Sequence, residues 1–338
     1  MIEEIPPFWW RKPGWQAAML WPASLVVGGL AARRLRSRRR DRFDLPVLCV
    51  AALAVGADGR TEVAMALARA AARLGRRPGL VAAGPSAQPH LVDPHHDLAR
   101  HVGDEALLLA RAAPAVLCAD RIAAARALAA EGHDIIIIAD GHVGERLAAD
   151  LTLLVADAER GIGNGYVVPA GPVRAPLVDQ FRQVDAVLRL GDGDAADPLV
   201  RLAARSARPV HDASTVPAGA AALAGRRLLA FAGTAAPDRF FAMVRAAGGE
   251  VEAERAFANG HLYADDELQE LAAAAEKAGL GIVTTARDAA RLAHGSQAAA
   301  DLLRSLVVLE TEVEFELAHV PETIVREAME NWQRRQHA

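Results

Sequence analysis

Lysine is almost missing from this chain of 338 residues, because Lys12 and Lys277 are its only lysines although lysine and arginine together number 38. Cysteine is equally scarce. Cys49 and Cys118 each lie in an apolar, strand-like stretch without a partner at metal-binding spacing. This pattern argues against a cysteine metal centre and predicts buried, reduced thiols in a cytosolic domain. The net charge of −4 excludes a generally basic chain, and we expect no nucleic-acid partner.

Hydrophobic residues make up 52% of the chain, although aromatic residues contribute only 4%. This composition excludes a disordered chain. Together with the length, it predicts about two domains with substantial cores.

Apolar runs of strand length alternate with alanine-rich helical segments through the first part of the chain. The runs are residues 45–52, 79–83, 115–118, 135–139, 151–156 and 186–190. This rhythm predicts an α/β fold with a doubly wound parallel sheet covered by helices. A second set of strands and helices begins near Arg227 and predicts a smaller α/β domain. We therefore expect an N-terminal segment (1–40), a main domain (41–222) and a smaller C-terminal domain (223–338).

Residues 45–61 run from an apolar strand into a glycine loop, and a strong helix former follows Thr61. A loop in this position binds phosphate, because backbone N–H groups and the helix dipole point at the anion. Gly56 and Gly59 would let the backbone approach the phosphates, and Thr61 would offer its hydroxyl to Mg²⁺. The segment is a candidate P-loop, and a plain strand-turn-helix is the alternative.

Two residues of this loop are unusual for phosphate binding. Arg60 stands where such loops carry lysine, so a planar guanidinium replaces a compact ammonium. Asp58 places a negative charge beside the expected anion. Because the whole chain favours arginine over lysine, a compositional drift accounts for Arg60 without a loss of function.

The N-terminus has the composition of a membrane anchor. Four of the five tryptophans lie in the first 21 residues, beside an apolar segment (17–32) and an arginine-rich segment (33–40). Tryptophan prefers the headgroup region, and clustered arginine prefers the cytoplasmic face. The apolar segment is shorter than the roughly 20 residues that span a bilayer. We expect a helix in the interface of the inner membrane, with a short span or a buried N-terminal helix as alternatives.

Three further residues are candidates for chemistry. Asp140 ends the apolar strand 135–139, the arrangement by which P-loop proteins hold Mg²⁺, although strand-end aspartates are also ordinary turn residues. Asp104 precedes a predicted helix and is either its cap or a group that helps to remove a proton from an attacking hydroxyl. His261 is either a surface histidine or a general base.

Taken in order, the motifs resemble the tetraacyldisaccharide 4'-kinase family, also called the lipid A 4'-kinases, over nearly the full chain. The resemblance is carried by residues 7–10, 55–61, 102–111, 120–121, 140–150, 163–176, 231–241, 261–263 and 284–292. The segments Gly163-Asn164-Gly165 and Pro169-Ala170-Gly171-Pro172 are the most distinctive.

The resemblance implies a P-loop kinase at the cytoplasmic face of the bacterial inner membrane. Such a kinase uses ATP and Mg²⁺ to phosphorylate the 4'-hydroxyl of a tetraacylated glucosamine disaccharide 1-phosphate, a lipid A precursor. Asp104 and His261 match its acid-base pair, and Thr61 and Asp140 match its magnesium ligands. The implied ATP-binding residues are Gly56, Ala57, Asp58, Gly59, Arg60 and Thr61, and the implied substrate residues are Arg121, Asn164 and Arg174.

The chain departs from the family pattern at the expected site. The family's Gly-Gly-Thr-Gly-Lys-Thr loop reads Gly56-Ala-Asp-Gly-Arg-Thr61, and its Asp-Asp-Gly reads Ala139-Asp140-Gly141. Two function classes remain open. One is an active, divergent kinase; the other is a non-catalytic relative that binds a lipid or nucleotide, or regulates a partner, at the same membrane.

Overall fold

The computed structural model describes residues 6–37, 39–56, 59–144 and 146–337. The chain divides into two compact units. The larger unit comprises Met1–Leu91, Ala112–Thr215 and Val313–Ala338, and the smaller unit comprises Val92–Arg111 and Val216–Glu312. Both units are therefore assembled from segments that are separated in sequence.

Strands and helices alternate along most of the described chain. The strands are β1 (Val47–Ala52), β2 (Pro78–Ala83), β3 (His90–Leu91), β4 (Ala115–Cys118), β5 (Ile135–His142), β6 (Leu151–Asp157), β7 (Ala186–Leu190), β8 (Val210–Ala218), β9 (Arg227–Ala232), β10 (Glu250–Ala256), β11 (Gly281–Thr285) and β12 (Leu306–Phe315). The α-helices are α1 (Trp15–Ser37), α2 (Arg60–Arg73), α3 (Ala99–Val102), α4 (Asp104–Ala112), α5 (Arg121–Ala130), α6 (Leu177–Phe181), α7 (Asp197–Arg205), α8 (Pro237–Ala246), α9 (Asp265–Ala278), α10 (Ala286–Leu292), α11 (Gln297–Ser305) and α12 (Val320–Gln336). Pro7–Trp10 and Ala220–Ala222 form 3₁₀ helices.

Strand β1 lies inside the sheet of the larger unit, where the strand order is β8-β7-β6-β1-β5-β2-β4-β3. It pairs in parallel with β5, placing Val47 opposite Ile136, and with β6, placing Leu48 opposite Leu151. The short strand β3 is antiparallel to β4. Every residue of β1 is buried, as expected for a continuous apolar run in a parallel sheet covered on both faces. The predicted α/β fold with a large, mostly parallel sheet is confirmed.

The sheet of the smaller unit has the order β10-β9-β11-β12, and its neighbouring strands are parallel. Successive side chains of β9 point to opposite faces of the sheet. Leu228 packs with Phe241 of α8 in one hydrophobic cluster, and Phe231 packs with Leu271 of α9 in another. This unit therefore has its own two-sided core, as a second α/β domain requires.

The two units differ from the predicted ranges 41–222 and 223–338 chiefly in two segments. Residues 92–111 join the smaller unit, in which α4 is tied to α10 by ion pairs. Residues 313–338 return to the larger unit, in which Arg335 of α12 pairs with Asp150 at 2.8 Å. Chain order alone reveals neither connection, because each joins residues far apart in sequence.

Helix α1 packs a narrow face of small residues against the rest of the larger unit. The buried residues of this face are Ala17, Ser24, Gly28 and Ala32. The Ser24 hydroxyl donates to the carbonyl oxygen of Val167 (2.6 Å) and accepts the N–H of Ala170 (2.9 Å). The remaining faces expose large apolar side chains, namely Trp15, Met19, Trp21, Leu25, Val26 and Leu30. Of the helices in the described ranges, α1 has the length and composition to cross a membrane.

We expect His211 to make the protein less stable at mildly acid pH. Burial lowers the pKa of His211 from the ordinary value of 6.5, and His319 lowers it further, against the opposing effect of Asp212. The unfolded chain therefore takes up a proton as the pH falls below 6.5, before the folded protein does. The free energy of unfolding should therefore decrease as the pH falls below 6.5, and this decrease should be smaller in His211→Gln.

Thermal unfolding between pH 7.5 and 5 measures this effect, with His337→Gln as the control at an exposed position of the same unit. Equal pH dependence in the wild type and His211→Gln would contradict the prediction.

Candidate active site

The described residues of the loop between β1 and α2 include two glycines in the left-handed region. Gly56 and Gly59 adopt positive φ angles of 73° and 87°, which glycine reaches without a Cβ clash. Gly59 precedes the first residue of α2, so the N–H groups in the first turn of that helix face the loop. Thr61, at the second helical position, is 5% exposed. Two of the predicted ATP-binding residues, Ala57 and Asp58, lie outside the described residues.

Arg60 extends from the start of α2 toward the end of β5. Its Nη1 donates a hydrogen bond of 3.4 Å to the carbonyl oxygen of Gly141, the residue that follows Asp140. The side chain is half-buried, so its charge is held beside the loop. Arg60 thus supplies a cation at the position that sequence reasoning assigned to the phosphate cradle.

Asp140 joins the ends of three strands. One carboxylate oxygen accepts the N–H of Ala83, at the end of β2, at 2.8 Å. The other accepts Nη2 of Arg121 at 2.8 Å, and Nη1 of the same arginine reaches the carbonyl oxygen of Cys118, at the end of β4, at 3.4 Å. The loops after β2, β4 and β5 therefore converge, as expected for parallel strands. Sequence reasoning gave Asp140 and Arg121 separate roles and did not foresee their ion pair.

Thr61 and Asp140 offer a hydroxyl and one carboxylate, the oxygen ligands that Mg²⁺ prefers. Each carboxylate oxygen has lone pairs beyond those used by Arg121 and Ala83. Within the described residues, no group of three His, Cys, Asp or Glu side chains forms a complete metal cage. A single carboxylate still fits Mg²⁺, which usually keeps several waters and completes its coordination with substrate phosphates.

The segment 163–174 lies beside the phosphate loop. The carbonyl oxygen of Pro172 accepts the N–H of Val55 at 2.9 Å, and the carbonyl oxygen of Leu53 accepts the N–H of Arg174 at 3.0 Å. These backbone bonds place the half-buried Arg174 next to the first residues of the loop. The predicted substrate residue Arg174 and the predicted ATP loop are therefore neighbours.

Asn164 uses both ends of its side-chain amide inside this segment. Its Nδ2 donates to the carbonyl oxygen of Ala170 (2.9 Å), and its Oδ1 accepts the N–H of Tyr166 (3.0 Å). A side chain at Gly171 would collide with Asn164, which explains the glycine there. The backbone N–H of Asn164 also donates to the carbonyl oxygen of Trp9 at 2.7 Å. These bonds give Asn164 a part in shaping the loop.

Asp104 and His261 both belong to the smaller unit, but the structure gives them different partners. Asp104 starts α4, accepts the N–H of Glu105 at 2.9 Å and forms a short ion pair with Arg291. Nε2 of His261 lies 2.8 Å from Glu267, and its ring stacks on Phe257 with centroids 5.0 Å apart. The two residues of the predicted acid-base pair therefore each bond a different partner: Asp104 pairs with Arg291, and His261 contacts Glu267.

Glu267 has two tasks at this point. Its carboxylate accepts the N–H of Ala264 at 2.8 Å, which caps the start of α9, and it also contacts His261. The hydrogen bond from the backbone of Ala264 lowers the pKa of Glu267 most, and the contact with His261 lowers it further. His261 therefore lies beside a carboxylate that stays ionised.

A buried polar network behind Asp104 was not predicted as part of the site. Asp288 is fully buried and accepts hydrogen bonds from the Tyr263 hydroxyl (2.7 Å) and the Thr285 hydroxyl (2.6 Å). Burial and the neighbouring Asp288 charge raise the pKa of Tyr263, which keeps its proton and donates it to this bond. The motif that contains Thr285 and Asp288 contributed to the resemblance, yet neither residue received a role, because their contacts become visible only in three dimensions.

A profile of the family described as Tetraacyldisaccharide-1-P 4'-kinase matches residues 16–330. A tetraacyldisaccharide 4'-kinase of Mesorhizobium japonicum is 49% identical over an alignment of 339 positions, which covers 99% of each chain. One of Brucella anthropi is 46% identical over 332 aligned residues, covering 96% of this chain and 97% of the relative.

Among solved structures, an LpxK of Aquifex aeolicus, described as an "apo" form in complex with ATP, superposes with a TM-score of 0.72. The match covers 93% of this chain and 99% of that one at 19% identity, and it shows a shared fold. The profile and the near full-length relatives go further: this chain belongs to the tetraacyldisaccharide-1-P 4'-kinase family.

Proposed function

We propose that this protein transfers the γ-phosphoryl group of ATP to the 4'-hydroxyl of a tetraacylated glucosamine disaccharide 1-phosphate, a step in lipid A biosynthesis. The observation that carries the proposal is 49% identity with a tetraacyldisaccharide 4'-kinase over 99% of both chains. The Aquifex aeolicus relative, described in complex with ATP, supports ATP as the phosphoryl donor. The phosphate-binding turn at the start of α2 supports the same donor.

Phosphoryl transfer needs in-line positioning and neutralisation of charge more than covalent help from the protein. The N–H groups at the start of α2 would hold the phosphates, and Arg60 would neutralise their charge in place of the usual lysine. Thr61 and Asp140 would hold Mg²⁺, which would supply positive charge to neutralise the phosphates. Arg121, paired with Asp140 at 2.8 Å, orients that carboxylate and adds a cation near the phosphates.

The acceptor oxygen attacks the γ-phosphorus, ADP departs, and the hydroxyl proton must go to a base. Asp104 and His261 fill this role in the proposal, as a carboxylate and an imidazole that act together on the sugar hydroxyl. Arg174 would bind the sugar phosphate beside the ATP loop. Asn164 would act through the shape of the 163–174 segment, since its amide is bonded to Ala170 and Tyr166.

A non-catalytic protein that binds a lipid or nucleotide is the less favoured alternative. The replaced P-loop lysine and the single carboxylate of Ala139-Asp140-Gly141 were its main support. Arg60 restores a cation at the loop, and one carboxylate suffices for a magnesium ion that also binds phosphates. Both departures are therefore compatible with turnover.

We further propose that the protein works at the cytoplasmic face of the bacterial inner membrane. The exposed side of α1 carries large apolar side chains, and the helix ends in an arginine cluster that includes Arg33, Arg34 and Arg36. Apolar area and positive charge together favour binding to anionic lipid. A lipid substrate explains why a kinase would carry such a helix.

The first prediction from this proposal is transfer of labelled γ-phosphate from ATP to tetraacyldisaccharide 1-phosphate in detergent micelles. Product should form with Mg²⁺ and disappear with a chelator, because the phosphate charge is then not neutralised. Asp104→Ala should lower kcat by about 10²- to 10⁴-fold, the usual contribution of a general base. No product, under conditions where a family member with an intact lysine loop turns over, would favour the non-catalytic alternative.

The second prediction concerns the cation of the loop. Arg60→Met should lower kcat by about 10²- to 10³-fold, because an electrostatic group at the transferred phosphate is lost. Arg60→Lys should retain activity, since it restores the usual P-loop cation. Arg73→Met is the matched control at the far end of α2, where Arg73 forms an exposed ion pair with Glu322. Steady-state kinetics in ATP would contradict the assignment if Arg60→Met and Arg73→Met behaved alike.

The third prediction concerns membrane binding by α1. Leu25→Glu/Leu30→Glu should abolish flotation of the protein with vesicles that contain anionic lipid, because both leucines are 55% exposed on α1. Leu91→Glu/Leu317→Glu is the control, with leucines that are 53% and 55% exposed outside α1. Equal flotation of the two variants would argue against α1 as the membrane contact.

A further inference from the structure

Arg291 links Asp104 to the buried interior of the smaller unit. Its side chain is only 6% exposed. Nη1 donates to Oδ1 of Asp288 at 2.7 Å and to the carbonyl oxygen of Gly233 at 2.8 Å, while Nη2 bonds to Oδ2 of Asp104. One planar guanidinium therefore connects the end of β9, helix α10 and the first residue of α4.

Asp288, the buried partner of Arg291, has both carboxylate oxygens occupied by hydrogen bonds. Asp288 accepts the N–H of Gly233 (3.1 Å), the Tyr263 hydroxyl (2.7 Å) and the Thr285 hydroxyl (2.6 Å), in addition to Arg291. A Cβ atom at Gly233 would lie 3.0 Å from both Oδ1 of Asp288 and the Tyr263 hydroxyl, so the packing leaves little room for movement. Arg291 is thus held by its surroundings before it meets Asp104.

We propose that Arg291 is a positioning residue for the phosphoryl transfer, acting through Asp104; this role depends on the kinase activity proposed above. Arg291 fixes Oδ2 of Asp104, and the N–H of Glu105 fixes Oδ1 at 2.9 Å. The carboxylate then has one orientation, and its remaining lone pairs face the acceptor hydroxyl in a constant geometry. Displacement of such a group by about 1 Å costs about 10²-fold in rate.

The role requires arginine rather than a positive charge alone. A guanidinium presents a rigid fork of donors, so one side chain can bond Asp288, Gly233 and Asp104 together. A lysine ammonium in the same place is a compact charge on a flexible stem, and it cannot span all three acceptors with the same geometry. Arg291→Lys should therefore keep the fold and lose part of the activity.

Helices α10 and α4 are joined by a second ion pair, which supplies a control for the loss of Arg291. Arg287 of α10 pairs with Glu105 of α4 at 2.8 Å, one residue along from Asp104. This second pair also ties α10 to α4, but it is more exposed than the Arg291–Asp104 pair and joins Arg287 to Glu105. Arg287→Met tests the general effect of losing an ion pair between these helices.

The test compares Arg291→Met, Arg291→Lys, Asp104→Ala, the double variant Arg291→Met/Asp104→Ala, and Arg287→Met. Arg291→Met should lower kcat by about 10²-fold with KM for ATP changed less than about twofold, because nucleotide binding does not involve Asp104. The double variant should be no slower than Asp104→Ala, since Arg291 acts only through Asp104. Arg287→Met should stay within about twofold of the wild type.

The outcomes separate a positioning role from a structural one. Thermal unfolding of every variant checks the fold, and Arg291→Lys supplies the kinetic test if Arg291→Met does not fold. Two outcomes would overturn the positioning role while leaving the proposed function intact. One is a double variant whose loss of kcat equals the product of the two single-variant losses; the other is an equal loss of kcat in Arg287→Met and Arg291→Met. A wild-type protein without turnover would overturn the proposed function, and the role of Arg291 with it.

Discussion

The parallel pairing of β1 with β5 on one side and β6 on the other places β1 inside the sheet of the larger unit. With both neighbours in place and both faces covered, β1 is completely buried, and the glycine turn and α2 follow at its carboxyl end. The same edge receives the end of β5 with Asp140. The glycine turn and Asp140 therefore lie at the same end of the sheet, because the two apolar strands that precede them are parallel neighbours.

Strands with continuous apolar runs could be predicted from the sequence, and strands that mix polar with apolar residues could not. Runs such as 135–139 are typical of strands covered on both faces, and β5 confirms this one. Strands β10 and β12 alternate acidic with less polar residues, a weaker pattern that was not recognised as strand. Strand β8 mixes polar residues with small apolar ones and is only partly buried, so hydrophobicity did not identify it.

The candidate site was predictable to the extent that its residues lie at the ends of such strands. Gly59, Thr61 and Asp140 could be identified because a strand, a turn and a helix surround them in sequence. The ion pairs of Arg121 with Asp140 and of Arg291 with Asp104 could not be predicted, because each joins side chains of two different elements and local patterns carry no information about such distances. The resemblance pointed to Arg121 only as a substrate residue. Arginine abundance adds to the difficulty, since 38 basic residues offer many candidates and only the fold selects among them.

The packing of α1 on the segment around Val167 and Ala170 has a consequence for how the enzyme meets its substrate. Ser24 bonds both residues, which ties the helix to the loop that shapes the proposed sugar site. With α1 on a bilayer, as proposed above, that loop would lie near the lipid headgroups. Catalysis at such a surface would be a two-dimensional process, whose rate would follow the mole fraction of the lipid in the leaflet rather than its bulk concentration, and product would leave by lateral diffusion.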